Sequence, residues 1–573
     1  VTARRTRAAA ALAATALLAS GCSLLGLDDG SSSSSSSDDG GGAQDAPSSS
    51  PQETSVETFD VAPEGRDWVV LVEDPADTGD VADALRQADL ELTSINSGVG
   101  MVTLRTTAED VAETAEGIDG VTAAVTDRSV GWSPSDPVSP SPDGDLQPAT
   151  DLPSPPEAPE GGDPLDGWLW GLDAISAFEA RESTSGRREV RVGIIDTGVD
   201  ASHPDLAPVL DTGLSKTFVT DIPDIDGECE HESCIDPVGE DGGGHGTHVA
   251  GTVAAASNGL GVSGVAPDVS IVDLRAGQDG GFFFLGPSVN ALTYAADQQL
   301  DVVNMSFYVD PWLYACEGGA PEDDPEQATT QDVTIELMRR AQDLAHEQGV
   351  TMVGSAGNSS ADMADPGTDE TSPNYGDEPH SRTIDPESCY DLPVEGPHVI
   401  GVSSIDEGGS LSSFSNWTTE PDGEDIEVAA PGGGAAVSPR GVLSATPRSL
   451  ARVEGLVDDD GRLTQLGVDA GYVRDCPEGM AEDAPDPDQR CGLYTYAQGT
   501  SMASPHAAGV AALIISAEGD RMAPDAVRER LLGTAADQAC PSGTGSGGPR
   551  CVGDAGRNGF VGEGVVDAAA AVS

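Results

Sequence analysis

Ser501 stands between Thr500 and Met502 at the mouth of the apolar run GTSMASPHAAG. A serine hydroxyl becomes a nucleophile only when a neighbouring imidazole takes its proton. Histidine suits that task because its pKa lies near neutrality. His245 in GHGTHVAGT offers such an imidazole, again at the start of a helical pattern. Asp196 closes the apolar run VRVGIID, where a buried carboxylate is costly unless something binds it. An acid in that position fixes the imidazole tautomer and stabilises the imidazolium. The competing reading makes these hydroxyls helix caps, since Ser and Thr accept hydrogen bonds from first-turn amides. Here Thr500 is expected to cap and Ser501 to react. His248, three residues after His245, suggests a metal pair, but two histidines without a third ligand make a poor zinc site, so His248 reads as structural. Asp200 and His203 read as loop residues, and His506, just after Pro505, as packed.

These groups need strand ends and helix starts to hold them. VRVGIID (190–196), VSIVDLR (269–275), DVVNMSF (301–307) and GVTMVGSAG (349–357) are continuous apolar runs of the kind buried in a parallel sheet. Helical patterns lie between them at 248–256, 288–299 and 335–348. The alternation predicts an α/β, doubly wound, mostly parallel sheet flanked by helices over 166–573, with chemistry at the carboxyl ends of the strands. Upstream, 66–131 reads as a small β-α-β-α-β unit, an α+β ferredoxin-like module. The Pro- and Asp-rich stretch 132–165 reads as a linker.

Composition narrows the partners. The 573 residues hold 27 Lys plus Arg against 99 Asp plus Glu, a net charge of −72, and Lys216 is the sole lysine. Such a surface repels nucleic acid and anionic lipid. It suits cation binding or high salt, where self-repulsion is screened, and equally a compositional bias without specific role. The apolar stretch 8–19 follows Arg4, Arg5 and Arg7 and is too short to span a bilayer. It reads as a signal peptide over 1–21. LLASGC, which ends at Cys22, resembles a bacterial lipobox, and that resemblance implies acylation of Cys22 and anchoring to a membrane face. Residues 22–65, rich in Ser, Gly and Asp, read as a disordered tether. Eight further cysteines follow at 229, 234, 316, 389, 476, 491, 540 and 551. An even number in an exported chain favours disulfides, with nearest neighbours the simplest of 105 connectivities.

DTGVD, HGTHVAG and GTSMASPHAAG, in that order, resemble the three motif blocks of subtilases, the subtilisin-like serine peptidases of family S8. The resemblance implies a serine endopeptidase with Asp196, His245 and Ser501 as triad, working through an acyl-enzyme. It also implies that Asn358 of SAGN is the oxyanion donor beside the Ser501 N–H. It further implies an inhibitor-like propeptide in 66–131, protein or peptide substrates and an extracellular, lipid-anchored or released monomer. HPDL and SNGLGVSGVAP resemble the segments that build a structural calcium site in that family, with ligands from Asp166, Asp205, Ala256, Asn258, Leu260 and Val262. Calcium takes 6–8 oxygens, a number this set can approach. Two stretches depart from the family pattern. NMSFYVD carries Phe307 and Tyr308 where small residues usually stand, and is expected to narrow the pocket. An insertion at 447–493 and an acidic segment at 317–332 are expected to gate or extend the cleft. The rival readings are a non-catalytic peptide-binding lipoprotein and a metal hydrolase built on His245 and His248.

Overall fold

Strand RDWVVLV alternates its apolar side chains between two faces, as period-two geometry requires, and both faces find a partner. The computed structural model describes residues 52, 54–59, 61, 65–127, 136–137, 156–226, 233–309, 311–374, 379–423, 425–434, 441–458, 461–477, 479–481, 484, 490–541 and 549–573. The expected signal segment, Cys22 and most of the linker lie outside these residues. Five antiparallel strands form the first sheet: β1 (Val56–Thr58), β2 (Arg66–Val72), β3 (Glu91–Asn96), β4 (Met101–Thr106) and β5 (Val121–Thr126), in the order β1-β3-β4-β2-β5. Helices α1 (Thr78–Gln87) and α2 (Val111–Glu116) cover one face, on which Val70, Val72, Leu85 and Val111 pack. Val69, Leu71, Met101 and Val125 on the other face join a core with the larger sheet's helices. Strand β1 falls inside the stretch read as a tether, because Ser55 is tied to Asp297 and β1 pairs with β3. Strand β3 was not expected: ELTSIN buries Thr93, Ser94 and Asn96, whose polarity hides a strand.

The larger sheet has seven parallel strands. These are β6 (Arg191–Asp196), β7 (Lys216–Thr217), β8 (Ser270–Arg275), β9 (Val302–Met305), β10 (Thr351–Ser355), β11 (Val399–Ile405) and β12 (Val428–Pro431). Their order is β12-β11-β10-β9-β6-β8-β7, so the winding reverses at β6. Helices α3 (His245–Ala254) and α6 (Thr500–Glu518) pack together, as do α4 (Leu285–Asp297) and α5 (Pro325–Glu347). Both pairs border the sheet, the first in a core with Ile194 and the second in one with Ile195, so neighbouring residues of β6 face opposite layers. Helix α5 begins ten residues earlier than its apolar pattern, because Asp324 and Gln327 form a capping box with Pro325 in the first turn. The second half of the acidic segment 317–332, from Pro325 on, is therefore a helix start. The module meets α4 and α5 through polar contacts as well: Asn96 bonds Asn290 and Thr293, and Arg340 donates to the carbonyls of Val72 and Val99.

The insertion at 447–493 is a folded excursion. Strand β14 (Val473–Asp475) and β13 (Val442–Ala445) both pair antiparallel with β15 (Gly492–Gln498), which leads directly into α6. Cys476–Cys491 closes the excursion, and Cys316–Cys389 and Cys540–Cys551 are the other disulfides whose two partners are both described. Cys234 is also disulfide-bonded. Asp136–Pro137, from the expected linker, pairs with the end of β15 at Ala497 and Gln498.

Candidate active site

Ligands of open α/β sheets bind where the strand order reverses, outside the carboxyl ends, and Asp196 ends β6 at that point. Its Oδ1 lies 2.7 Å from His245 Nδ1, with both side chains buried. Thr197 N–H donates to the same oxygen, while Asp196 Oδ2 has no partner among the described residues. The close approach of α3 to this strand end requires glycine at 246, where a Cβ would fall 2.2 Å from the carbonyl oxygen of Gly198.

Asp241 was not singled out in the sequence, yet it ties these parts together. Its two oxygens accept from Thr197 Oγ1, Gly244 N, Thr247 N and Thr247 Oγ1, and Thr197 Oγ1 in turn accepts from Gly246 N. One buried carboxylate thus holds the first turn of α3 against the end of β6. The signal was an aspartate four residues ahead of His245, in a glycine-rich stretch that reads as a loop.

Ser501 lies in the first turn of α6, but neither Ser501 nor Thr500 caps that helix. The cap position is Gly499, at φ 155°, and no side-chain capping bond forms. Thr500 instead donates from N–H and Oγ1 to Asn358 Oδ1, at 2.8 and 2.9 Å, and accepts from Gly357 N. With Oδ1 so engaged, the amide nitrogen is the donor that Asn358 can offer a ligand. Ser501 Oγ lies 3.3 Å from the Ser306 carbonyl, just beyond β9. Ser306 Oγ bonds the Ser501 carbonyl and Ser504 Oγ, and receives a bond from Asn304. Strand β9 therefore grips the start of α6 at the serine.

His248, His506 and His203 are structural. His248 Nε2 bonds the Val442 carbonyl, His506 Nδ1 the Met502 carbonyl and His203 Nε2 the Leu493 carbonyl. Burial lowers their pKa values to about 3, 4 and 4, so each ring stays neutral. Phe307 does not enter the cleft: it is buried and stacks on Phe283 at 4.3 Å. That removes half of the expected narrowing.

The expected calcium ligands are only partly gathered. Every amide from Asn258 to Ser263 donates to a side-chain oxygen. Asp163 takes 258 and 259, Asn258 takes 260, Asp475 takes 261, Asp205 takes 262 and Asp166 takes 263. Asp166 is committed to Ser263 and to the Asp163 amide. Asp205 is surrounded by the Tyr494 hydroxyl at 2.8 Å, the Asn258 amide nitrogen and the Val262 N–H. Those are donors, whereas a calcium ion needs acceptor oxygens. Two glycines shape the slot for the phenol, since a Cβ on Gly261 or Gly492 would lie within 2 Å of the Tyr494 oxygen. Burial drives the Asp205 carboxyl well above its ordinary pKa. Asp166, Asp205, Ala256, Asn258, Leu260 and Val262, so arranged, do not fit a calcium ion. Among the described residues no group of three or more His, Cys, Asp or Glu is placed to hold a metal.

An Asp–His pair at the reversal point of a parallel sheet, with the helix of His245 packed on the helix that begins at Thr500 and Ser501, suits a hydrolase of the serine-nucleophile class. Residues 187–547, well over half of the chain, match the model of the subtilase family, peptidase S8. The chain belongs to that family of serine endopeptidases. It is 30% identical to fervidolysin from Fervidobacterium pennivorans over 386 residues, which is 66% of this chain and 41% of that protein. It thus spans under half of fervidolysin's length. Subtilisin DY from Bacillus licheniformis is 31% identical over 366 residues, 64% of this chain and 90% of that protein. In fold it resembles the epidermin leader peptide processing serine protease of Staphylococcus aureus, with a TM-score of 0.56 at 17% identity over 89% of this chain and 98% of that one.

Proposed function

We propose that the chain is an exported, membrane-anchored serine endopeptidase, made with an inhibitory N-terminal module, that cuts peptide bonds through an acyl-enzyme on Ser501. The 2.7 Å bond between His245 Nδ1 and Asp196 Oδ1 carries the reading. It holds the ring through Nδ1, so the proton of the serine would pass to Nε2. Ser501 Oγ attacks the scissile carbonyl as His245 takes its proton, and Asp196 stabilises the imidazolium without itself being protonated. The oxyanion is met by Asn358 Nδ2 and the Ser501 N–H. His245 then protonates the leaving amine, and a water deprotonated by the same ring releases the acid.

Several features support the finer parts. The lipobox-like LLASGC motif favours a lipid on Cys22, and no described helix is long and apolar enough to cross a membrane. The module at 66–131 covers α4 and α5, as a companion domain that assists folding would. The pairing of Asp136–Pro137 with β15 brings the linker to the strand that feeds Ser501, which favours processing within 132–165. The peptide-binding rival loses half of its support with Phe307 folded into the core, and keeps the part that rests on Tyr308. The metal-hydrolase rival loses His248, which is bonded to Val442. Hydrolysis of an unstructured protein such as casein by the wild type, and none by Ser501→Ala of equal thermal stability, tests the reading. Equal rates from both would overturn it.

A further inference from the structure

Met101, Thr103 and Arg105 of β4 share one face of the module's sheet, because alternate residues of a strand point the same way. Met101 packs in the core shared with α4 and α5, but Thr103 and Arg105 are polar and cannot continue that packing. Where the apolar contact stops, a cavity of about 510 Å³ lies between the module and β7, the edge strand of the larger sheet. That volume falls within the roughly 300–1,000 Å³ typical of small-molecule sites. Phe59, Thr103 and Arg105 line it from the module, and Lys216, Phe218 and Asn290 from the core. Phe59 and Val238, also on its walls, are two of the four large apolar side chains that the described residues expose. The cavity therefore offers apolar surface as well as polar groups.

Lys216 is the chain's sole lysine among 99 acids, yet it has no hydrogen bond or ion pair among the described residues. Its Nζ sits over the rings of Phe218 and Tyr294, at 5.3 and 5.5 Å from their centres, which holds the half-buried ammonium without neutralising it. The Tyr294 hydroxyl is spent on the Leu214 carbonyl. The acids on the walls are already matched: Asp67 to Arg105 and Thr220, Asp127 to the Leu285 and Gly286 amides, and Asp221 to the Cys234 amide. Burial pushes the Lys216 pKa down. Across the cavity the register of β3 slips beside Thr93, so Thr93 and Ser94 both reach Thr103, each at 2.6 Å. Three hydroxyl protons serve those two bonds, while Ser94 accepts a further bond from Asn290. One proton is left over for an acceptor. An unmatched ammonium facing a spare hydroxyl donor lacks what a carboxylate would bring: negative charge and two acceptor oxygens.

We infer that this cavity binds a small carboxylate with an apolar body, its charge on Lys216 and its body against Phe59, Phe218 and Val238, so that the ligand bridges module and core. The site is separate from the endopeptidase reading, since none of Asp196, His245 and Ser501 is on its walls. A net charge of −72 repels anions at long range, so a bare inorganic anion gains only the one local contact. An anion with an apolar body adds the burial of that body to the contact with Lys216.

A sole lysine makes the test direct. Full-length Ser501→Ala protein, which keeps the module attached, gives one side-chain NMR signal when grown with isotope-labelled lysine. Titration with octanoate should shift that signal to saturation and raise the pKa of Lys216, as an adjacent anion does. Octanol, with the same tail and no charge, should bind at least about tenfold more weakly by calorimetry. Lys216→Gln should weaken octanoate binding by a similar factor. N-acetylleucine in place of octanoate distinguishes a peptide end from an acyl chain, and saturable binding of either supports the site. A signal that neither carboxylate moves would overturn the proposal. So would octanol binding as tightly as octanoate, or Lys216→Gln binding octanoate undiminished.

Discussion

Asn358 and Thr500 show how a motif residue is set by its neighbours. Two donors from Thr500 fix the Asn358 carboxamide through its oxygen. Asn358→Ala should therefore lower kcat by about 10²–10³ with little change in KM, a range set by subtilisin itself; steady-state kinetics on one peptide would check it. Tyr494 is the residue where expectation and structure part. Its hydroxyl serves the buried Asp205, so Tyr494→Phe should cost about 1–3 kcal/mol and lower Tm. Chelation at fixed ionic strength should leave the wild-type Tm unchanged, and a clear fall would restore the calcium reading. Motif letters alone propose Asp196, His245, Ser501 and Asn358, because the chemistry assigned to them constrains residue type. They did not reveal Asp241 or Tyr494. An aspartate in a glycine-rich loop and a tyrosine in a strand look ordinary until folding brings four donors to one and an acid to the other.

At the scale of elements, the apolar runs of β6, β8, β9 and β10 were legible because strands buried on both faces have few polar residues. Strand β3 was not, since its buried Thr93, Ser94 and Asn96 bond to neighbours instead of packing. Residues 325–332 belonged to the acidic segment expected to gate the cleft, and the Asp324–Gln327 cap makes them the start of α5. The contact between module and core has its own pH signature. Asp127 accepts from the Leu285 and Gly286 amides at the start of α4, and burial, with Asp67 beside it, raises its pKa to about 8. A carboxyl with a folded pKa above its unfolded value of 3.8 is most favourable when protonated. This contribution is full below about pH 4 and is lost as pH rises to about 8. The docked module should loosen over that interval. Asp127→Asn should flatten the dependence, which hydrogen exchange of α4 amides against pH would measure; an unaltered profile would refute it.

The whole molecule carries −72 charges in 573 residues. With 27 cations among 99 anions, most surface carboxylates have no opposite partner to offset their repulsion. Salt shortens the range of that repulsion, to about 3 Å at 1 M. Tm should therefore rise between low salt and about 1 M sodium chloride, and a fall would mean that specific ion pairs outweigh the net field. Charge of this kind was fully legible in composition, but where it acts was not. The structure places acids on the loop amides at 258–263. The most direct test of the triad is fluorophosphonate labelling followed by mass spectrometry of the digested protein, with wild type beside His245→Ala. A single adduct on the peptide containing Ser501, absent from the variant, is the predicted result. An unmodified Ser501 in folded wild type, or equal labelling without His245, would contradict the assignment of His245 as its base.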